Sequence, residues 1–110
     1  GMTYTFHADT PVVPMEPMRL IWSAVNRLST SGAVIGPDQR VSPADALRAT
    51  TIAAAYQNFE EKERGSIEVG KWADLVVLSD NPTTIDPTKI KDIRVLQTIV
   101  EGKSVYKIAD

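Results

Sequence analysis

Cysteine is absent from this 110-residue sequence, and histidine occurs once, at His7. The first absence excludes disulfides, thiol nucleophiles and zinc–cysteine sites. The second leaves too few imidazoles for a His-rich metal centre, which usually draws three or four protein ligands from His, Cys and carboxylates. Positive charge is not concentrated anywhere. The net charge is −2 and the sequence pI about 5.3, with no basic block, so nucleic acid is not an expected partner. No apolar run is long enough to span a bilayer. The N-terminus lacks a basic start followed by an apolar core, so no secretory signal is read there. Together with the missing cysteines, this fits a cytoplasmic protein. Gly1 ahead of Met2 has the form of a tag-cleavage scar. What remains is ordinary for a globular chain: 43% apolar and 24% charged residues, one domain's length, and enough material for a modest core.

The most ordered local signal lies between Gly65 and Pro82, GSIEVGKWADLVVLSDNP. Gly65 and Gly70 bracket Ser66-Ile67-Glu68-Val69, which reads as a brief strand entering a turn. Residues 73–78 then run apolar and β-branched up to the turn residues Ser79, Asp80, Asn81 and Pro82, the pattern of a buried strand. Near the N-terminus, residues 3–7 alternate, with Tyr4 and Phe6 on one face and Thr3, Thr5 and His7 on the other, and predict a short strand. Pro11, Pro14 and Pro17 interrupt regular structure after it. A helix is expected from about Pro17, with Met18, Ile21, Trp22, Val25 and Leu28 on its apolar face and Arg19, Ser23, Asn26 and Arg27 elsewhere. Residues 29–32 stop it. Ser42-Pro43-Ala44-Asp45 is a helix start with a capping serine and a capping-box-like aspartate, and the helix is expected to run to about Asn58. Its inner face is Ala46, Leu47, Thr50, Ala53 and Ala54. Residues 60–64, a charge run, read as a solvated helix end or loop. Asp86-Pro87 can cap a short helical turn through Lys91. Residues 95–100 and 103–108 alternate around Glu101-Gly102 and predict a hairpin. The expected class is α+β, a small sheet with two main helices packed on it or beside it.

Chemistry-bearing constellations are scarce. There is no G-x-S-x-G, no phosphate loop and no G-x-G-x-x-G. His7 and Asp9 lie two apart, so on a regular strand they would share a face. That supplies two candidate metal ligands, too few for a strong site, and for the residues taken alone a structural histidine beside a turn-capping aspartate is the preferred reading.

Taken whole, G-S-I-x-x-G-K-x-A-D-L-V-V-L-x-x-N-P closely resembles the tail of the metal-dependent amidohydrolase superfamily. Phe6-His7-Ala8-Asp9-Thr10-Pro11 resembles the H-x-D-x-P end of the eighth barrel strand in its imidazolonepropionase- and cytosine-deaminase-like branch, amidohydrolase 3. Ala46-Leu47-Arg48-Ala49-Thr50-Thr51 followed by Ala53-Ala54-Ala55 resembles that family's A-L-R-A helix. The resemblance covers essentially the whole chain. It implies that residues 1–58 match the last βα unit of a (β/α)8 barrel and that residues 59–110 match the C-terminal part of the family's small β domain. It implies hydrolysis of C–N bonds other than peptide bonds, a divalent metal such as zinc, a metal-ligand and general-base role for Asp9, and a substrate-facing His7. A whole barrel enzyme takes roughly 250 residues. The family's H-x-H pair, its carboxylated lysine or glutamate, and the histidines of strands five and six are missing here. The resemblance therefore implies a chain that binds no metal and is inactive alone. The alternative is a non-catalytic module, covered by forming a homodimer or higher oligomer or by a chain supplying the rest of the barrel. A third reading is a site assembled between subunits around His7 and Asp9.

Overall fold

A computed structural model describes residues 2–10 and 16–109. Pro11 and Pro14, and with them the last residue of the H-x-D-x-P pattern, lie outside the described residues, as does Gly1. The architecture is α+β as expected: three helices α1 (Pro17–Asn26), α2 (Pro43–Thr50) and α3 (Ile52–Gln57), then strands β1 (Leu75–Leu78), β2 (Val95–Val100) and β3 (Lys103–Lys107). Short 3-10 helices occupy Pro37–Gln39 and Pro87–Asp92.

α1 begins with Pro17 at its first turn, where a missing N–H costs nothing. It ends two residues short of Leu28, the last residue of the expected apolar face, because Arg27 takes a left-handed conformation at φ +57 and returns its N–H to the Ser23 carbonyl at 2.8 Å. Leu28 consequently leaves the helix and bridges to Val34. Asn26, expected away from the core, is buried. Its amide donates to the carbonyls of Trp22 and Pro87, both at 2.9 Å, and so ties α1 to the Pro87–Asp92 turn. Trp22 makes a parallel tie, its indole N–H donating to the Thr88 carbonyl at 3.0 Å.

The single helix expected over residues 43–58 is two. Ser42 caps α2 as predicted, its hydroxyl accepting from the Asp45 N–H at 3.1 Å. The break falls at Thr51, φ −122 and ψ −94. Thr50 and Thr51 both turn their hydroxyls back onto the Leu47 carbonyl, at 3.0 and 2.6 Å. Side-chain donors that compete for a helix carbonyl, on consecutive β-branched residues, disrupt the ladder. The break rotates α3, so the buried alanines are Ala46, Ala49, Ala53 and Ala55 rather than Ala54.

The three strands form one antiparallel sheet in the order β1-β2-β3. Val76 pairs with Thr98 and Thr98 with Tyr106, and an irregularity interrupts each pairing. The β2–β3 turn is Glu101-Gly102, both at positive φ, +51 and +79, the geometry that matches strand twist in a two-residue hairpin. The expected strand at residues 66–69 is absent; Gly65 and Gly70 flank an irregular turn instead. Nor do residues 3–7 form a ladder strand.

The core is helical. Ile21, Val25, Ala46 and Ile90 form its buried centre, with Phe6, Met18, Trp22, Val41, Leu47 and Ile85 packed around them. No strand residue belongs to it, so the sheet lies beside the helices. β1 is therefore not the buried strand its apolar run suggests: Val76 is 51% exposed and Val77 42%.

Candidate functional site

Asp9 and His7 sit in an extended segment that runs against the helical core. Phe6 is half-buried on that core and Ala8 is buried, which fixes the segment at two points. The Tyr4 and Phe6 rings lie 5.8 Å apart, as the alternation predicts for side chains on one face. The Thr5 hydroxyl donates to the Gln57 side-chain carbonyl at 2.9 Å, holding the segment to the end of α3. His7 and Asp9 are both exposed. Asp9 has φ +52 and sits in a turn, so the period-two argument that would pair it with His7 ends at Ala8.

A broad cavity of about 820 Å³ opens beside this segment, between residues 2–4, the helices α2 and α3, and the loop carrying Lys71. Its charged lining was not read from the sequence as a unit. Lys71, whose side chain is only 10% exposed, donates its ammonium to the Ser66 hydroxyl at 2.7 Å and meets the Glu68 carboxylate at 3.0 Å. It also reaches the backbone carbonyl of Glu61. Hydrogen bonds from Ser66 and then Lys71 hold the Glu68 carboxyl below its ordinary range. One Glu61 carboxylate oxygen is buried without a hydrogen-bond partner. Arg64, on the same charge run, pairs with Asp74 and, at 3.4 Å, with Glu60. Residues 60–64 are thus partly built into the fold rather than simply solvated. The only sequence signal for this was the Gly70-Lys71 step inside the tail pattern.

Asp74 organises the far end of the sheet. It accepts the Glu101 N–H at 2.9 Å, and the neighbouring Ala73 carbonyl accepts the Gly102 N–H at 3.0 Å. The start of β1 is thereby pinned to the β2–β3 turn. The Glu101 N–H, and after it the Arg64 guanidinium, holds the Asp74 carboxyl below its usual range, and Asp74 in turn raises Arg64.

No group of three or more His, Cys, Asp or Glu side chains is placed to hold a metal ion among the described residues. Asp9 and His7 offer two donors at most, so the residues present do not fit a complete metal centre.

The sequence matches the amidohydrolase family, in the profile of that description called Amidohydro_3, over residues 1–106. The chain belongs to this family. It is 35% identical over 107 residues to an N-substituted formamide deformylase of Arthrobacter pascens, a match covering 97% of this chain and 20% of that protein. It is 40% identical over 101 residues to the protein LONG AFTER FAR-RED 3 of Arabidopsis thaliana, covering 90% of this chain and 17% of that one. Its fold superposes on the crystal structure of an amidohydrolase from Thermotoga maritima with a TM-score of 0.74 and 25% identity, over 98% of this chain and 24% of the other. The chain thus spans about a fifth of the length of the curated relatives it matches. No helix among the described residues is long and apolar enough to cross a membrane.

Proposed function

We propose that these 110 residues are the C-terminal portion of an amidohydrolase fold that hydrolyses non-peptide C–N bonds, and that they are inactive on their own. In this reading residues 1–58 correspond to the last barrel strand with its following helices, and residues 59–110 to part of the small β domain. Asp9 contributes one carboxylate to a divalent-metal centre, zinc being the expected ion, whose other ligands lie outside these residues. His7 faces substrate.

One observation carries the reading. Asp9 is held at an exposed turn by a segment anchored through Phe6, Ala8 and Thr5, while among the described residues no group of three or more candidate ligands forms around it. A carboxylate offered at a fixed place with its coordination shell unfilled suits a shared centre. The bound metal would supply Lewis acidity and an activated water; this chain's contribution is a negatively charged oxygen donor that follows directly on the anchored residues Thr5, Phe6 and Ala8. The deformylase relative supports N-substituted formamides as the first substrates to try.

The test has two parts. The purified 110-residue chain, incubated with zinc and dialysed, is expected to retain well under one metal per chain and to leave N-substituted formamides unhydrolysed. Grafted in place of the matched fifth of the Arthrobacter deformylase, the same residues are expected to support hydrolysis, and Asp9→Asn should lower kcat by on the order of 10²–10⁴. Stoichiometric zinc on the isolated chain, lost in Asp9→Ala, would instead establish a site built between copies from His7 and Asp9.

A further inference from the structure

Residues 2–9 carry His7 and Asp9, yet little sets their register. Among the described residues they make no backbone hydrogen bond to the helices or the sheet. Their apolar contacts are one-sided: Phe6 packs on the core and Ala8 is buried. Apolar burial is not directional. It presses the segment onto the helices without fixing its slide along them. A slide of one residue in an extended chain moves every later atom by about 3.3 Å and turns each side chain to the opposite face. A functional oxygen tolerates far less, about 0.5 Å.

One directional contact supplies the missing constraint. The Thr5 hydroxyl donates to the Gln57 side-chain carbonyl at 2.9 Å, across 52 residues of sequence. Alternation puts Thr5 on the face of His7 and opposite Phe6, so the contact holds the side that apolar packing leaves free. Gln57 itself is firmly placed. It is the last residue of α3, whose Ala53 and Ala55 are buried. The turn after it is closed by backbone N–H groups donating to carbonyls, from Asn58 to Ala55 at 3.1 Å, from Phe59 to Tyr56 at 3.0 Å and from Glu60 to Ala55 at 2.8 Å. The helix break at Thr51 decides where Gln57 faces. In an unbroken helix residue 57 would stand about three turns beyond Ala46, on the row that meets the core. Ala46 is wholly buried, whereas Gln57 is exposed and reaches Thr5.

We infer that Gln57 is a positioning residue. Through the Thr5 hydroxyl it sets the register of residues 5–9, and so the place at which Asp9 presents its carboxylate and His7 its ring. The hydrogen bond is exposed, so its loss unfolds nothing; what is lost is register. The consequence for catalysis rests on the hydrolase reading of Asp9, whereas the tie itself rests on geometry alone.

The test uses the Arthrobacter pascens deformylase with its matched fifth replaced by these residues, N-substituted formamides as substrates, and kcat counted per bound zinc. Gln57→Ala and Thr5→Val are each expected to lower that kcat about three- to tenfold, with KM within about twofold. A merely stabilising role would lose zinc and activity together and leave kcat per zinc unchanged. Gln57→Glu keeps an acceptor and Thr5→Ser keeps a hydroxyl, so both should stay within about twofold of the unsubstituted protein. Thr5→Val combined with Gln57→Ala should be no worse than either alone, because the two act through one bond. A second readout needs no activity. In the 110-residue chain, backbone order parameters of residues 5–9 should fall from about 0.85 toward about 0.6 in Gln57→Ala and hold in Gln57→Glu. Unchanged kcat per zinc in Gln57→Ala, unchanged order parameters, or losses that add in the double variant would overturn the assignment. A graft that is inactive with the unsubstituted residues would sink the hydrolase reading instead, and the order parameters would then decide the tie by themselves.

Discussion

Gly65→Ala is expected to destabilise the chain well beyond the cost of its backbone conformation, and a matched glycine isolates the difference. Gly65 and Gly70 have nearly the same φ, +93 and +94. Alanine at either pays for a positive φ, on the order of 1–2 kcal/mol, and the unfolded-state entropy lost with the glycine is the same for both. Their surroundings differ. A Cβ at Gly65 would stand 2.8 Å from the Cβ of Ala55 and 2.8 Å from the Cα of Ile52, while one at Gly70 would meet nothing within 4 Å. The Ile52 Cα is backbone, so relief requires α3 and the Gly65 turn to move apart, an overpacking cost of about 1–3 kcal/mol. Urea melts of both variants should place Gly65→Ala below Gly70→Ala by that amount, which corresponds to roughly 4–8 °C in Tm per kcal/mol. Equal stabilities within about 0.5 kcal/mol would show that α3 does not press on the Gly65 turn.

Three further outcomes test the rest of the structure. Ile90→Ala empties the one large side chain that is wholly buried among the described residues and should cost about 2–5 kcal/mol in a denaturant melt; a smaller loss would deny that α1 and the Pro87–Asp92 turn share a core. Asn26→Ala removes both donors to the Trp22 and Pro87 carbonyls and should cost about 1–3 kcal/mol, with faster amide exchange in the Pro87–Asp92 turn. Acid should weaken the sheet through Asp74, whose carboxyl the Glu101 N–H holds below the ordinary aspartate range in the folded chain. A group with a depressed folded pKa stabilises above its unfolded pKa, and that stability is lost as pH falls through the folded value. Melts of the unmodified chain should therefore decline below about pH 4, and Asp74→Asn should show a shallower decline over the same range; an unchanged acid limb would contradict the Asp74–Glu101 contact.

The helices and the hairpin were legible because their signals are local. Pro17, Ser42 and Asp86 each announce a first turn, and Glu101-Gly102 sits between two alternating runs. What escaped depended on competition or on distance. Thr50 and Thr51 favour carbonyls one turn back over continuing the helix, and periodicity counts them only as tolerable helix residues. Asn26 looks solvent-facing on a helical wheel, since its partner at Pro87 is 61 residues away. The Lys71 cluster draws on residues 61, 64, 66 and 68 around an irregular loop, where no spacing rule applies. Asp9 was singled out by its spacing from His7 and by resemblance; the spacing argument fails because residues 3–7 form no ladder strand and Asp9 sits in a turn at positive φ.

β1 is the most instructive failure. A run such as Ala73-Asp74-Leu75-Val76-Val77-Leu78 states that a strand forms and that its side chains belong out of water. It does not state which chain covers them. In this structure the strand forms and pairs with β2, yet its valines remain half exposed and the core is built elsewhere, from Ile21, Val25, Ala46 and Ile90. The pattern and the burial disagree only if the 110 residues are required to satisfy the pattern by themselves. The chain spans about a fifth of the length of the relatives it matches, and β1, at one end of the strand order, is paired on its β2 side alone. Misjudging β1 as buried and finding an unguarded edge are thus the same observation, made first on the sequence and then on the fold.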